Sequence, residues 1–172
     1  MPGRAAPGNV TMLNMPMEIE RKFLVRADVW AATVKPEGSE LRQGYLSTDP
    51  ARTVRVRVAN TQAWLTIKGK TQGVSRAEFE YALPVDDARQ LLTLSVSQLH
   101  KTRYRMPVGV HTWDVDVFHG PLSGLILAEV ELRAEDEQFE PPLWVGVEVS
   151  ADARYYNSAL SGAQQVPDPP EL

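Results

Sequence analysis

Glu18-Ile19-Glu20-Arg21-Lys22-Phe23 opens the first strand-like segment of the chain, and its alternation decides how the rest is read. In an extended strand, side chains of one parity share a face. Glu18, Glu20 and Lys22 therefore line up together, with Ile19, Phe23 and Val25 on the opposite face. Two carboxylates beside an ammonium can hold a hard cation next to an anion, because such cations take oxygen ligands.

The habit recurs along the chain. Alternation and β-branched or aromatic content predict strands over Glu18–Val25, Glu40–Ser47, Thr53–Ala59, Ala63–Lys68, Arg76–Leu83, Gln98–Met106, His111–Phe118 and Gly124–Arg133. Arg55 and Arg57 share a parity against Val54, Val56 and Val58. Lys68 falls in register with Thr66 and Trp64, and Arg76, Glu78 and Glu80 oppose Phe79, Tyr81 and Leu83. Lys101, Arg103 and Arg105 align; Asp114 and Asp116 stand opposite Trp113, Val115 and Val117; Glu129 and Glu131 stand opposite Val130 and Leu132.

A half-buried sheet also alternates, with its polar face in water. The identity of the polar residues must decide. Here charge nearly fills the polar parity, basic on the third, fourth and sixth strands and acidic on the seventh and eighth. Like charges on neighbouring strands destabilise by about 0.2–1 kcal/mol per pair. Two arrangements remain open on pattern alone: a solvated outer face, or the inside of a barrel around a bound polyanion and metal. The second turns the apolar parity outward, where helices must cover it.

Helices are predicted over Ala27–Val34, Asp86–Leu94 and Ala151–Leu160, with Asp86 and Ser150 placed as N-caps. Ala59-Asn60-Thr61-Gln62 and Pro107-Val108-Gly109 read as hairpin connections, and Gly69 to Ser75 as a looser one carrying Lys70. Eight strands, few helices and short connections make a mainly β chain, one antiparallel sheet closed into a barrel.

At 172 residues the chain is long enough for one domain with a real core. Its net charge of −4 should repel nucleic acid and anionic membranes, so any polyanion must meet a local concentration of Lys and Arg. The absence of cysteine excludes disulfides and thiolate chemistry and fits the cytoplasm. No apolar stretch has the length of a membrane span. Residues 1–16 read as a flexible leader, 17–163 as the domain, and 164–172 as a Pro-rich tail. His100, His111 and His119 are dispersed and lack metal-ligand spacing. Arg154 and Tyr155, on the last helix, read as packing residues that could also plug one mouth of the barrel.

Taken together, these blocks resemble a known family. E-I-E-R-K-F-L-V at Glu18–Val25, R-Q-G-Y-L at Arg42–Leu46, V-R-V-R at Val54–Arg57 and L-T-I-K-G at Leu65–Gly69 look like the CYTH family, also called the triphosphate tunnel metalloenzymes. S-R-A-E-F-E at Ser75–Glu80, K-T-R-Y at Lys101–Tyr104, D-V-D at Asp114–Asp116 and A-E-V-E-L at Ala128–Leu132 continue the series in the family's order. The resemblance implies an eight-stranded tunnel that binds triphosphate and magnesium or manganese. It implies metal binding by Glu18, Glu20 and Glu131, supported by Glu129 and Asp116. It implies phosphate binding by Lys22, Arg55, Arg57, Lys68, Arg76, Lys101 and Arg103, and activation of water by a Lys101–Tyr45 pair. Cations around Lys101 should lower its pKa. Glu78 and Glu80 read as salt-bridge partners that hold the basic residues in place.

Because both members of the hydrolytic pair are present, the expected activity is hydrolysis of a triphosphate, inorganic tripolyphosphate above all. Class IV adenylyl cyclase, thiamine triphosphatase (with Trp64 stacking on a ring) and a non-catalytic polyphosphate-binding module are the alternatives. The expected partner is a triphosphate-containing small molecule, with the protein a monomer or homodimer.

Overall fold

The computed structural model describes residues 16–170. Nine strands run β1 (Met17–Val25), β2 (Ser39–Ser47), β3 (Arg52–Ala59), β4 (Gln62–Gly69), β5 (Ser75–Leu83), β6 (Ser97–Val108), β7 (His111–Phe118), β8 (Ile126–Glu131) and β9 (Val145–Glu148). They are joined in the order β5-β4-β3-β2-β6-β7-β8-β1-β9, and β1 also pairs with β5. That last pairing closes eight antiparallel strands into a barrel, through Met17↔Ala77, Glu18↔Arg76 and Ile19↔Ser75. Farther along, the same edge of β1 pairs with β9.

The two faces divide as alternation requires. Most apolar side chains point outward under two covers, whereas one apolar cluster stays inside the barrel. Phe23, Trp113, Val115, Val130 and Leu132 pack under Trp30 and Trp144, with Phe139 against them. Leu99, Phe118 and Leu127 share the inward parity of Lys101, Asp116 and Glu129, and with Tyr155 and Leu160 of the C-terminal segment they fill one end of the barrel interior. Val56 and Ala63 lie under Ala88 of helix α2 (Val85–Thr93). Gly44 is required on this outer face, because a Cβ there would meet Ser95 Oγ at 2.6 Å at the end of α2. Loops supply as much of the cover as helices do: α1 (Ala27–Ala32) contributes Trp30, but Phe139 and Trp144 come from the coil before β9.

Several local expectations are corrected. α2 begins at Val85 with Pro84 as its N-cap and no side-chain cap, so Asp86 lies within the first turn and pairs with Arg89 at 3.0 Å. The helix expected from Ala151 is broken into a 3₁₀ turn, Ala153–Tyr155, and a short α3, Asn157–Leu160. Ser150 is no cap: its hydroxyl accepts from the Lys22 N–H at 2.9 Å, and Asp152 caps instead through the Arg154 N–H. Pro107 and Val108 continue β6, the turn falling at Gly109 with φ 60°. The β3–β4 hairpin turns at Asn60 with φ 52°, a left-handed conformation asparagine tolerates.

The expected leader lies outside the described residues apart from Pro16, whose carbonyl accepts from the Glu78 N–H at 3.0 Å. The part of the tail that is described lies against the barrel: Val166 packs beside Tyr155, and the Tyr155 hydroxyl donates to the Asp168 carbonyl at 3.1 Å. Among the described residues no helix is long and apolar enough to cross a membrane.

Candidate active site

Turning the apolar parity outward turns the charged parity inward. A cavity of about 650 Å³ lies inside the barrel, lined by Glu18, Glu20, Lys22, Arg55, Arg57, Lys68, Arg76, Arg103, Glu129 and Glu131, with Tyr45 among them. All thirteen residues named from the sequence as metal, phosphate or water-activating groups are in or beneath this wall: these ten and Tyr45 meet the cavity directly, and Lys101 and Asp116 lie beneath it.

The acidic wall is built by β1 and β8. Their register sets Glu20 beside Glu131 and Lys22 beside Glu129. Glu18 is held by Lys68 and Arg76, each at 2.8 Å. Burial would raise its pKa, but those two cations outweigh it and bring it to about 2. Glu20 differs. Burial, with Glu129 and Glu18 adding repulsion, pushes its pKa up to about 7, and its one ion pair among the described residues is Lys22 at 4.0 Å. Glu131 is raised by burial and by Glu18, and makes no ion pair among the described residues. Two carboxylates side by side without close counter-ions form an oxygen donor set suited to a magnesium-class cation.

The basic wall is built by β3, β4 and β5. Arg55 donates to Thr66 Oγ1 at 3.1 Å, and Thr66 in turn donates to Glu80 at 2.8 Å. Glu80 lies 3.4 Å from Arg57 and 3.7 Å from Arg55; Glu78 lies 2.8 Å from Lys68. Glu78 and Glu80 are thus the salt-bridge partners the sequence pointed to. The Nε atoms of both Arg55 and Arg57 are buried without an acceptor among the described residues. Burial, then Arg55 and Arg103, lower the Arg57 pKa to about 10, which leaves it charged at neutral pH. Guanidinium donors buried together without acceptors carry a desolvation cost that an anion with several oxygens would offset. Trp64 sits at the edge of this wall with the Arg57 guanidinium 5.0 Å from its ring.

The floor is organised differently. Lys101 is 1% exposed and donates to Asp116 at 2.5 Å and to Asn157 Oδ1 at 3.1 Å. Arg103 grips both Asp116 oxygens at 2.7 Å and reaches Asp114 at 2.6 Å. Asp116 is therefore surrounded by donors. Glu129 lies 2.8 Å from Lys22 and 3.2 Å from Arg103, which hold its pKa well below the ordinary range despite burial. The Lys101 pKa is lowered to about 8, as expected, but for another reason: burial is the main cause, and Arg103 the lesser, against the pull of Asp116. Tyr45 is not bonded to Lys101. Its hydroxyl feels Arg55 and Lys22, yet burial dominates and raises its pKa, so it stays an O–H donor at neutral pH.

Arg105 and Lys70 are exposed, as strand ends predicted. Two inward residues escaped the sequence reading. Asn157 bridges Lys101 and Glu129, its Nδ2 lying 3.3 Å from Glu129. Gln43 is 1% exposed, with neither amide atom partnered among the described residues. The parity of Gln43 with Tyr45 could have found it; nothing local marks Asn157, which arrives from the C-terminal segment. Of the two residues on that segment read as packing or a possible plug, Tyr155 packs on the inward apolar cluster at one end of the barrel, its carbonyl accepting from Lys22 Nζ at 3.3 Å, and Arg154 pairs with Asp152.

Fold and cavity together define a class: a closed antiparallel barrel whose interior sets weakly paired carboxylates against guanidiniums that keep unused donors. The CYTH domain model matches residues 16–165. The chain belongs to the CYTH family. It is 43% identical over 148 residues to a protein of Acetivibrio thermocellus named inorganic triphosphatase, covering 85% of this chain and 94% of that one. A protein of the same name from Nitrosomonas europaea is 41% identical over 155 residues, 84% of this chain and 96% of the other. A crystal structure described as the inorganic triphosphatase NE1496 superposes with a TM-score of 0.58 at 36% identity, over 88% of this chain and 97% of that one.

Proposed function

We propose that the protein hydrolyses a phosphoric anhydride bond of inorganic tripolyphosphate inside the barrel, with a divalent cation. The observation that carries this reading is the pairing of two unsatisfied walls: Arg55 and Arg57 with buried donors lacking acceptors, facing Glu20 and Glu131 without close cations. Relatives at 41–43% identity over most of the chain bear the same activity in their names.

Glu18, Glu20 and Glu131 would hold the cation, magnesium or manganese, with Glu129 and Asp116 fixing the basic residues beside it. Such a cation would offset the charge developing on the phosphate beside these carboxylates. Lys22, Arg55, Arg57, Lys68, Arg76 and Arg103 would grip the remaining oxygens, arginines through fixed bidentate donors and lysines as movable point charges. Phosphoryl transfer needs mostly positioning and charge stabilisation from the protein. In this reading Lys101, its pKa lowered to about 8 beneath the cavity, would take the proton of the attacking water, and Tyr45, protonated, would orient that water or a phosphate oxygen by donation. We place the reaction in a single domain, residues 17–163, of a protein outside the membrane.

The test is a product analysis. The protein is incubated with tripolyphosphate, ATP or thiamine triphosphate in magnesium or manganese, and phosphate, pyrophosphate and cyclic AMP are measured. Rapid release of phosphate from tripolyphosphate is expected. Cyclic AMP with pyrophosphate from ATP would reverse the assignment toward a cyclase, and tight binding without turnover toward a polyphosphate-binding module.

A further inference from the structure

We propose that Glu40, His100 and His119, on the outside of the barrel, form a second metal site, for a borderline divalent ion of the zinc class. The sequence scatters these residues over three segments, but strand register gathers them. Glu40 on β2 lies opposite Thr102 on β6. Lys101 lies opposite Phe118, the last residue of β7, and the next residue, His119, donates its backbone N–H to the His100 carbonyl at 3.0 Å. Since Lys101 points inward, its neighbours His100 and Thr102 point outward, and Glu40 and His119 share their face.

The side chains converge as placement requires. His100 Nε2 lies 2.6 Å from Glu40 Oε2, and the two imidazole rings are 4.7 Å apart between centroids. One ligand atom from each of the three residues lies within 4.8 Å of the others. Ligand atoms around a tetrahedral zinc ion stand about 3.4 Å apart, given bonds of about 2.0–2.1 Å. Small side-chain rotations therefore suffice to close the set. Thr102 supports two of the three, donating to Glu40 Oε1 at 2.5 Å and lying 2.7 Å from His119 Nε2. Such outer contacts orient ligands before a metal arrives.

Donor chemistry selects the ion. Two imidazoles and one carboxylate, with a fourth position left for water, form a set that zinc-class ions accept and magnesium disfavours. The tunnel offers the opposite, carboxylate oxygens alone. Arg42, opposite His100 on the same outer face, is the opposing charge in register. The site is independent of the activity proposed above: none of its three side chains enters the cavity.

The experiment uses the full chain, stripped of metal and held in excess magnesium, titrated with Co²⁺. Four-coordinate cobalt absorbs visible light far more strongly than six-coordinate cobalt. An intense band saturating at one equivalent and erased by zinc is expected. It should be absent from His100→Ala/His119→Ala, while tripolyphosphate turnover in magnesium persists, and Glu40→Gln should weaken cobalt binding. An intense band of equal size in the double variant, or none in the wild type, would overturn the site, as would unchanged affinity in Glu40→Gln. If the double variant does not fold, histidine ring NMR of the wild type decides. Zinc should shift His100 and His119 and leave His111, which sits 2.9 Å from Glu137, in place; a shift of all three, or of neither, contradicts the proposal.

Discussion

The floor and the walls of the tunnel carry the same residue types but opposite kinds of order. On the floor, Lys101, Asp116, Arg103 and Glu129 satisfy one another at 2.5–3.2 Å. On the walls, Glu20 sits 4.0 Å from its one cation, and Arg55 and Arg57 keep buried donors unused. A buried charge with an internal partner maintains the architecture. A buried charge whose partner is missing from the fold is held, at a cost, for something that arrives from outside.

The difference can be broken experimentally. Asp116→Ala leaves the buried Lys101 ammonium without its ion-pair partner and should cost about 3–5 kcal/mol in urea unfolding. Replacing the pair together, Lys101→Met with Asp116→Leu, should cost clearly less than the sum of the single changes. Additive costs would show that the floor is not a unit. On the basic wall, Arg57→Met should lower turnover about 10²–10³-fold, as loss of one charge-stabilising donor does, with stability little changed.

Two pH profiles sharpen the contrast. Turnover should rise with pH through about 8 as Lys101 loses its proton, and Lys101→Met should flatten that limb; an acidic optimum would remove Lys101 as the base. In metal-free protein, Glu20 titrates at about 7 when folded against an ordinary 4.5, so the native state binds more protons between those values. Stability contributed by Glu20 should therefore fall as pH rises from about 4.5 to 7. Glu18, at about 2, works the other way: its contribution is present above the ordinary carboxylate range and is lost as pH falls toward 2. Glu20→Gln should reduce the slope of unfolding midpoint against pH in the upper window alone.

Strand parity made most of this legible from the chain. Alternation located eight strands; single-sign charge on one parity left a solvated face and a barrel interior both open, and the resemblance of the ordered blocks chose the interior. β9 was missed because Val145–Glu148 is a four-residue strand lying beyond a Pro-rich coil, too short for periodicity to show. The helix expected at Ala151 failed because Ser150 is engaged by the backbone of Lys22, a contact 128 residues away in sequence. Asn157 and the Glu40–His100–His119 cluster were invisible for the same reason: each exists only through register or chain return. Which charges are satisfied and which are not was equally hidden. Glu18 and Glu20 look identical in E-I-E, yet Lys68 and Arg76 reach the first and not the second.

The most direct test measures turnover and stability of Glu20→Gln side by side, without metal for the unfolding and with magnesium for the turnover. Loss of tripolyphosphate hydrolysis together with equal or greater resistance to urea at pH 7.5 is the predicted result. Retained hydrolysis, or loss of stability like that of Asp116→Ala, would contradict the division between a satisfied floor and waiting walls.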